Sequence, residues 1–391
     1  MSGTFEALWA EIAPIGRAED GGYFRYALTE PDLVLRDWFR VQAHDRDMAV
    51  TDDGNGNLFA WWGAARGRGA VVTGSHFDSV PHGGGYDGPL GIVSAFLAVD
   101  RLRARGIQPA RPLAVAAFVE EEGGRFGVPC LGSRLLTGAI DADRAAALTD
   151  RDGVSFAEAL GARPAGELPN FSGRVSAMVE LHIEQGRALA GPVGVASAIW
   201  PHGRWRFDFT GDGDHAGTTR MTDRHDPMLT FAYTVLAANK EARLAGALAT
   251  MARVAVTPNA TNAIPSLVRG WLDARAADTP TLDALVEAVV KRAVDRAGRD
   301  GTQVVVEPES ASPEVTFDAT LAGRLAALLG GTPQLPTGAG HDAGVLSAHV
   351  PTAMLFVRNP SGVSHAPAER ADDDDCAAGV EALATVLEDL L

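Results

Sequence analysis

Three short apolar runs recur in the first half of the chain, at residues 71–73, 113–119 and 177–181, and each gives way to titratable residues. Continuous apolar runs of this length suit strands buried on both faces. Between them apolar positions return at helical spacing, most densely over 90–102. Residues 1–12 and 31–43 carry the same helical period, and DDGNGN between two apolar runs predicts a hairpin over 48–62. Strands alternating with helices predict an α/β fold built on a doubly wound, mostly parallel sheet. In such sheets ligands bind beyond the carboxyl ends of the strands, where all three runs put their titratable residues.

The pattern changes near Pro201. Residues 204–210 alternate polar and apolar, as a half-exposed strand does. A helix over 227–244, strands over 249–257 and 267–276, a helix over 282–297 and a strand over 302–307 follow. That order, β-α-β-β-α-β, predicts an inserted ferredoxin-like domain. After Pro313 apolar elements return at 321–329, 353–357 and 376–391. The chain thus reads as a catalytic domain in two parts, 1–202 and 313–391, with a lid and dimerisation domain of 203–312 between them. The aspartates at 372–375 read as an acidic helix start favoured by the helix dipole.

Composition narrows the class. With 391 residues, 46% hydrophobic and 21% charged, the chain is globular and long enough for two domains. A net charge of −16 argues against nucleic acid or an anionic membrane as partner. Cys130 and Cys376 make neither a disulfide framework nor a zinc motif. No apolar stretch suggests a signal peptide or a membrane span, so a soluble cytoplasmic enzyme is expected.

The candidate chemistry lies at the ends of the apolar runs. His76 and Asp78 follow the first, then the glycines at 83–85, then Asp87 before the helix over 90–102. A metal-ligating histidine usually gives its second ring N–H to an acceptor, and Asp78 is spaced to be one. Glu120, Glu121 and Glu122 follow the second run, and three adjacent carboxylates repel one another unless a cation neutralises them. Glu180, His182, Glu184 and Gln185 end the third, and His365 follows the run over 353–357. His, Asp, Glu, His and His from separate segments suit a dinuclear site with N/O ligands for zinc, manganese, cobalt or nickel.

These segments resemble a known family. GSHFDSVPHGGGYDGPLG, EEEGGRFG, ELHIEQG, DHAGTTRMTDRHD, PNATNAIP, GAGHDA and GVSHAPAE, in that order over about 74–369, are similar to the M20-type metallopeptidase superfamily. The likeness is to its hydantoinase/carbamoylase branch of N-carbamoyl-L-amino-acid hydrolases, β-ureidopropionase and allantoate amidohydrolase. The resemblance implies two divalent ions bridged by Asp87, one completed by His76 and His182 and the other by Glu122 and His365. It implies Glu121 as general base, Asp78 orienting His76, and His215 stabilising the oxyanion. Gln185, Asn262 and Arg275 would hold the substrate, the last two at its carboxylate. It further implies a homodimer through the inserted domain and a small carbamoyl or ureido acid as substrate. Allantoate, or an acyl amino acid or peptide in the wider superfamily, stands as the alternative. Asp214, Arg220 and Arg358 depart from the usual pattern, while Arg224 and Asp226 follow it and read as an ion pair within the lid.

Overall fold

In the computed structural model, which describes residues 3–63 and 68–391, the apolar runs become neighbouring strands of one sheet. Strands β1 (Ala49–Asp52) and β2 (Leu58–Trp62) form the expected hairpin. They are followed by β3 (Ala70–His76), β4 (Leu113–Phe118), β5 (Val175–Ile183) and β6 (Val193–Ile199). Strands β7 (His202–Thr210), β8 (Asp214–His215), β9 (Leu248–Thr257), β10 (Ala263–Ile264), β11 (Leu267–Arg275) and β12 (Gln303–Ser312) come next. The chain ends through β13 (Val315–Thr316), β14 (Gln334–Thr337) and β15 (Thr352–Val357). By contact the chain divides into two units, Met1–Ala198 with Thr316–Leu391, and Ile199–Val315.

The first unit is built on the sheet ordered β1-β2-β4-β3-β5-β15-β6-β13. Strands β4, β3, β5 and β15 run parallel, and β2 and β6 flank them antiparallel. Every residue of β3, β4 and β15 is buried, because the sheet is covered on both faces. Successive side chains therefore feed different layers: Val71 and Val115 pack into one core, Val72 and Ala116 into the other. The helix Pro89–Ala104 lies between the sheet and the last helix, Asp373–Leu390, so it is apolar nearly all round.

The strands reach further than the apolar runs alone mark. β3 continues through Gly74 and Ser75 to His76, and β5 carries Glu180 and His182 within it. Backbone pairing with β4 and β15 carries these polar residues along. The parallel arrangement then aligns the carboxyl ends of β3, β4, β5 and β15 at one edge of the sheet.

The second unit has a four-stranded antiparallel sheet ordered β12-β7-β11-β9, with helices Pro227–Ala245 and Thr279–Asp300 packed on its covered face. Strand β11 alternates buried and half-buried residues along its whole length, as a one-sided sheet requires. β12 runs on to Ser312, beyond the expected 307, even though it contains Pro308. It is an edge strand, where a missing N–H is tolerated, and its register shifts between Pro308 and Ser310. No helix among the described residues is long and apolar enough to cross a membrane.

Candidate active site

At the shared edge of the parallel strands, three histidines and a glutamate gather around Asp87. Asp87 Oδ1 lies 3.1 Å from His182 Nε2 and 3.6 Å from His76 Nε2. Asp87 Oδ2 lies 3.3 Å from His365 Nε2, which is itself 3.3 Å from Glu122 Oε2. The five residues thus form two groups able to hold a cation, His76–Asp87–His182 and Asp87–Glu122–His365, joined by Asp87. His76 Nδ1–H donates to the Asp78 carbonyl (2.9 Å) and His182 Nδ1–H to the Ile183 carbonyl (2.8 Å). Each ring is thereby fixed in the tautomer whose Nε2 lone pair points inward. Those two Nε2 atoms and Glu122 Oε1 are buried without a hydrogen-bond partner, as ligand atoms for an ion would be.

The electrostatics fit the same group. Burial, then the charge of Glu122, pushes the Glu121 carboxyl far above its usual range, and burial followed by the Asp87 charge does so for Glu122. Burial takes His76 down to about 4. Burial alone would lower His182 and His365, but Asp87, with Glu122 beside His365, lifts each to about 9. Burial alone would raise Asp87, yet His182 and His365 hold it well below the usual carboxylate range. Bringing this many carboxylates out of water is costly, and cations held at the unpaired atoms would offset it.

The surrounding contacts assign different work to neighbouring residues. Asp78 orients His76 through its carbonyl; its carboxylate lies 3.7 Å from that ring, outside hydrogen-bond range, because β3 ends at His76. The carboxylate instead accepts the N–H groups of Glu121 (3.1 Å) and Glu122 (3.0 Å) and so sets both. Glu120, at φ +54°, turns away to accept the N–H groups of Arg125 and Phe126. Cys130, its thiol kept protonated by burial, donates to Glu121 Oε1 (3.6 Å). Gln185 Nε2 donates to Asp87 Oδ2 (2.7 Å), which brings Gln185 to the carboxylate that joins the two groups. Glu369 Oε1 accepts the N–H groups of Tyr86 (3.0 Å) and Asp87 (2.9 Å), fixing the loop that presents the central carboxylate. At Gly88, with φ +87°, a Cβ would lie 2.5 Å from the His76 ring, so only glycine lets Asp87 approach that histidine.

The remaining expected residues lie in the second unit. His215 and Asn262 line an open depression of about 510 Å³ together with Gly213, Asp214, Pro258 and Ser266. Arg275 is elsewhere. It ends β11, a nine-residue strand whose other end meets this depression, and is therefore roughly 26 Å away at ~3.3 Å per residue. Within one chain Asn262 and Arg275 do not meet at one carboxylate; Arg275 pairs with Asp273 at 2.9 and 3.2 Å. The expected Arg224–Asp226 ion pair is also absent. Asp226 caps the helix Pro227–Ala245 through the Met228 N–H, and Arg224 binds main-chain carbonyls. Arg358 pairs with Asp375, which gives one of the four aspartates a structural partner.

Comparison with known proteins agrees with this architecture. Residues 72–389 match peptidase family M20/M25/M40. The chain belongs to that family. The N-carbamoyl-L-amino acid amidohydrolase of Geobacillus stearothermophilus is 35% identical over 97% of this chain and 96% of its own. The allantoate amidohydrolase of Escherichia coli K12 is 31% identical over 97% and 95%. The crystal structure of an amidase of the hydantoinase/carbamoylase family from Burkholderia vietnamiensis superposes with a TM-score of 0.89 at 30% identity, covering 99% of this chain and 97% of that one. In this M20/M25/M40 chain, two residues of the centre had no role assigned from sequence. His341 lies with its ring 4.5 Å from that of His182; both its nitrogens are buried without a hydrogen-bond partner, and Nδ1 lies 3.9 Å from Glu121 Oε1. Glu180 accepts from Ser75 Oγ (2.9 Å) and the Ala343 N–H (3.0 Å), tying β5 to β3 and to the helix Asp342–Leu346. Glu180, His182 and His341 make a third group that could hold an ion. The GAGHDA motif was the available signal for His341.

Proposed function

We propose that the chain is a metal-dependent amidohydrolase cleaving the carbamoyl C–N bond of an N-carbamoyl-L-amino acid, releasing the amino acid, ammonia and carbon dioxide. The observation that carries this reading is the pair of ligand groups sharing Asp87, with Glu121 beside them. His76, Asp87 and His182 would hold one divalent ion, and Asp87, Glu122 and His365 the other. Ions held there supply Lewis-acid activation of the substrate carbonyl and of the attacking water.

The side chains do the rest. Glu121 Oε2, 3.6 Å from His76 Nε2, borders the ligand atoms and takes a proton from the water as its oxygen bonds to the carbonyl carbon. The same carboxyl then returns the proton to the nitrogen as the C–N bond breaks, and the carbamate product decomposes to ammonia and carbon dioxide. His215 donates a hydrogen bond to the developing oxyanion. Gln185, Asn262 and Arg275 hold the substrate, Arg275 through a bidentate pair with its carboxylate. Allantoate is the second reading, favoured by the similarity to an allantoate amidohydrolase.

The inserted domain is proposed as a lid that dimerises, in a cytoplasmic enzyme, with His215 and Asn262 of one protomer serving the partner's site. The length of β11 supports this, because two chains can bring Asn262 and Arg275 to one carboxylate where one chain cannot. Ammonia release by metal-loaded protein on N-carbamoyl-L-amino acids, N-carbamoyl-β-alanine, allantoate and acyl amino acids tests the substrate. Turnover of the acyl compounds alone would overturn the carbamoyl reading. Subunit exchange between inactive His215→Ala and Glu121→Ala proteins tests the dimer. A shared site restores roughly a quarter of wild-type activity, since about half the dimers are mixed and each holds one intact site; no recovery after verified exchange refutes it.

A further inference from the structure

The short segment bearing His215 is bonded on every side. Its N–H donates to Asp214 Oδ1 (2.7 Å), and its carbonyl accepts the N–H groups of Thr218 and Thr219 and the Thr219 hydroxyl (2.8 Å). The Ala216 N–H donates to the Asn262 carbonyl (3.0 Å), continuing the β8–β10 pairing of His215 with Ala263. Arg224 closes the turn from the other side. Its Nη2 donates to the carbonyls of Ala216 (2.7 Å) and Thr219 (3.0 Å), and its Nε also donates to Thr219 (3.2 Å). A planar guanidinium can bridge two carbonyls in this way, whereas an ammonium on a flexible stem holds them less rigidly.

Inside that turn the Gly217 N–H donates to His215 Nδ1 at 3.0 Å. A backbone N–H can only donate, so Nδ1 must offer its lone pair, and the neutral ring then carries its proton on Nε2. A Cβ at position 217 would lie 3.1 Å from His215 Cε1 and 3.4 Å from Nδ1, so glycine leaves the ring its place against the main chain. We infer that Gly217 and Arg224 are positioning residues that fix His215 as the Nε2–H tautomer, which makes it a neutral hydrogen-bond donor to the substrate's carbonyl oxygen. This rests on the reading of His215 as the oxyanion donor. The tautomer decides the sign of that contact. An Nε2–H attracts a developing oxyanion, while the opposite tautomer would turn a lone pair toward it. A doubly protonated ring would set its Nδ1–H against the Gly217 N–H and lose the contact that holds it.

The test uses full-length, metal-loaded protein with ¹⁵N-labelled histidine, the His215 ring signals being identified by their loss in His215→Gln. Two-bond ¹H–¹⁵N correlation should find Nε2 protonated and Nδ1 bare. An Nδ1–H ring in the wild type would overturn the inference. Arg224→Lys should give a mixture of tautomers and lower kcat roughly 10- to 100-fold, the scale of a misplaced reacting group, with metal content unchanged. An unchanged spectrum and rate in that variant would remove Arg224 from the device. Full turnover by His215→Ala would sink the oxyanion reading and leave the tautomer standing. An inactive His215→Ala alongside an Nδ1–H wild-type ring would do the reverse.

Discussion

At the scale of single residues, adjacent carboxylates hold distinct positions. Glu120 caps its own loop, Glu121 lies beside His76, and Glu122 faces His365, all within one triplet. Glu121→Gln should therefore retain both ions and lose turnover by ~10²–10⁴-fold, the usual range for a general base. Glu122→Gln should lose the ion shared with Asp87 and His365. Metal analysis of both variants separates the roles, and equal metal loss would contradict them. Asp78 adds a sharper case, since its two oxygens accept the N–H groups of both glutamates. An asparagine keeps one acceptor and sets an amide N–H against the other N–H. Asp78→Asn should weaken metal binding by roughly 10- to 100-fold, as loss of a group supporting the ligands does. Unaltered metal affinity and kcat in that variant would show that the backbone holds the glutamates unaided.

At the scale of elements, the site depends on how strands hand over to loops. β3 delivers His76 in its last position, and the loop after it returns Asp87 beneath the same ring, with Glu369 holding the loop's N–H groups. Gly88, at φ +87°, is a tight point of that return, where a Cβ would lie 2.5 Å from the His76 ring. Gly88→Ala should cost about 1–3 kcal/mol from the positive φ alone, with further displacement of Asp87 from His76. Calorimetry of the metal-free protein and metal titration should find both a lower Tm and weaker binding. A wild-type Tm would mean that the loop relaxes freely. The apolar runs marked where strands begin, yet not that His76, Glu180 and His182 continue them. That continuation comes from pairing with β4 and β15, a contact between distant segments that no local pattern encodes.

At the scale of the whole molecule, the metal-free protein carries a core of carboxyls that resist ionisation. Burial raises Asp78 to about 6, Glu369 to about 7 and Glu120 to about 8. An acid whose folded pKa exceeds its unfolded value stabilises the fold while protonated and loses that contribution as pH rises through the folded value. His182 and His365, lifted to about 9, act in the same direction, because the folded state gives up their protons later than the unfolded chain does. His76, lowered to about 4, is neutral in both states above its unfolded pKa and adds no slope there. Metal-free protein should therefore lose stability from about pH 6.5 to about pH 9, and divalent ions should restore more stability at the upper end than at the lower. Denaturant titrations with and without metal measure this, and a metal-free stability that rises over the window would refute it.

The sequence by itself determined the α/β class and the antiparallel insertion and pointed to five candidate ligand residues, because hydrophobic period sets the elements and histidines and carboxylates at strand ends are locally visible. Tertiary structure alone decided which atoms those residues present. It set the Asp78 carboxylate on two backbone N–H groups, brought the unassigned His341 against His182, and turned Arg224 from an ion pair to the carbonyls around His215. It also put Arg275 at the far end of β11 from Asn262, although only thirteen positions separate them in the sequence. The physical reason is common to all four. Period and composition fix the path of an element, whereas a hydrogen-bond partner depends on atoms supplied by segments that meet only after folding.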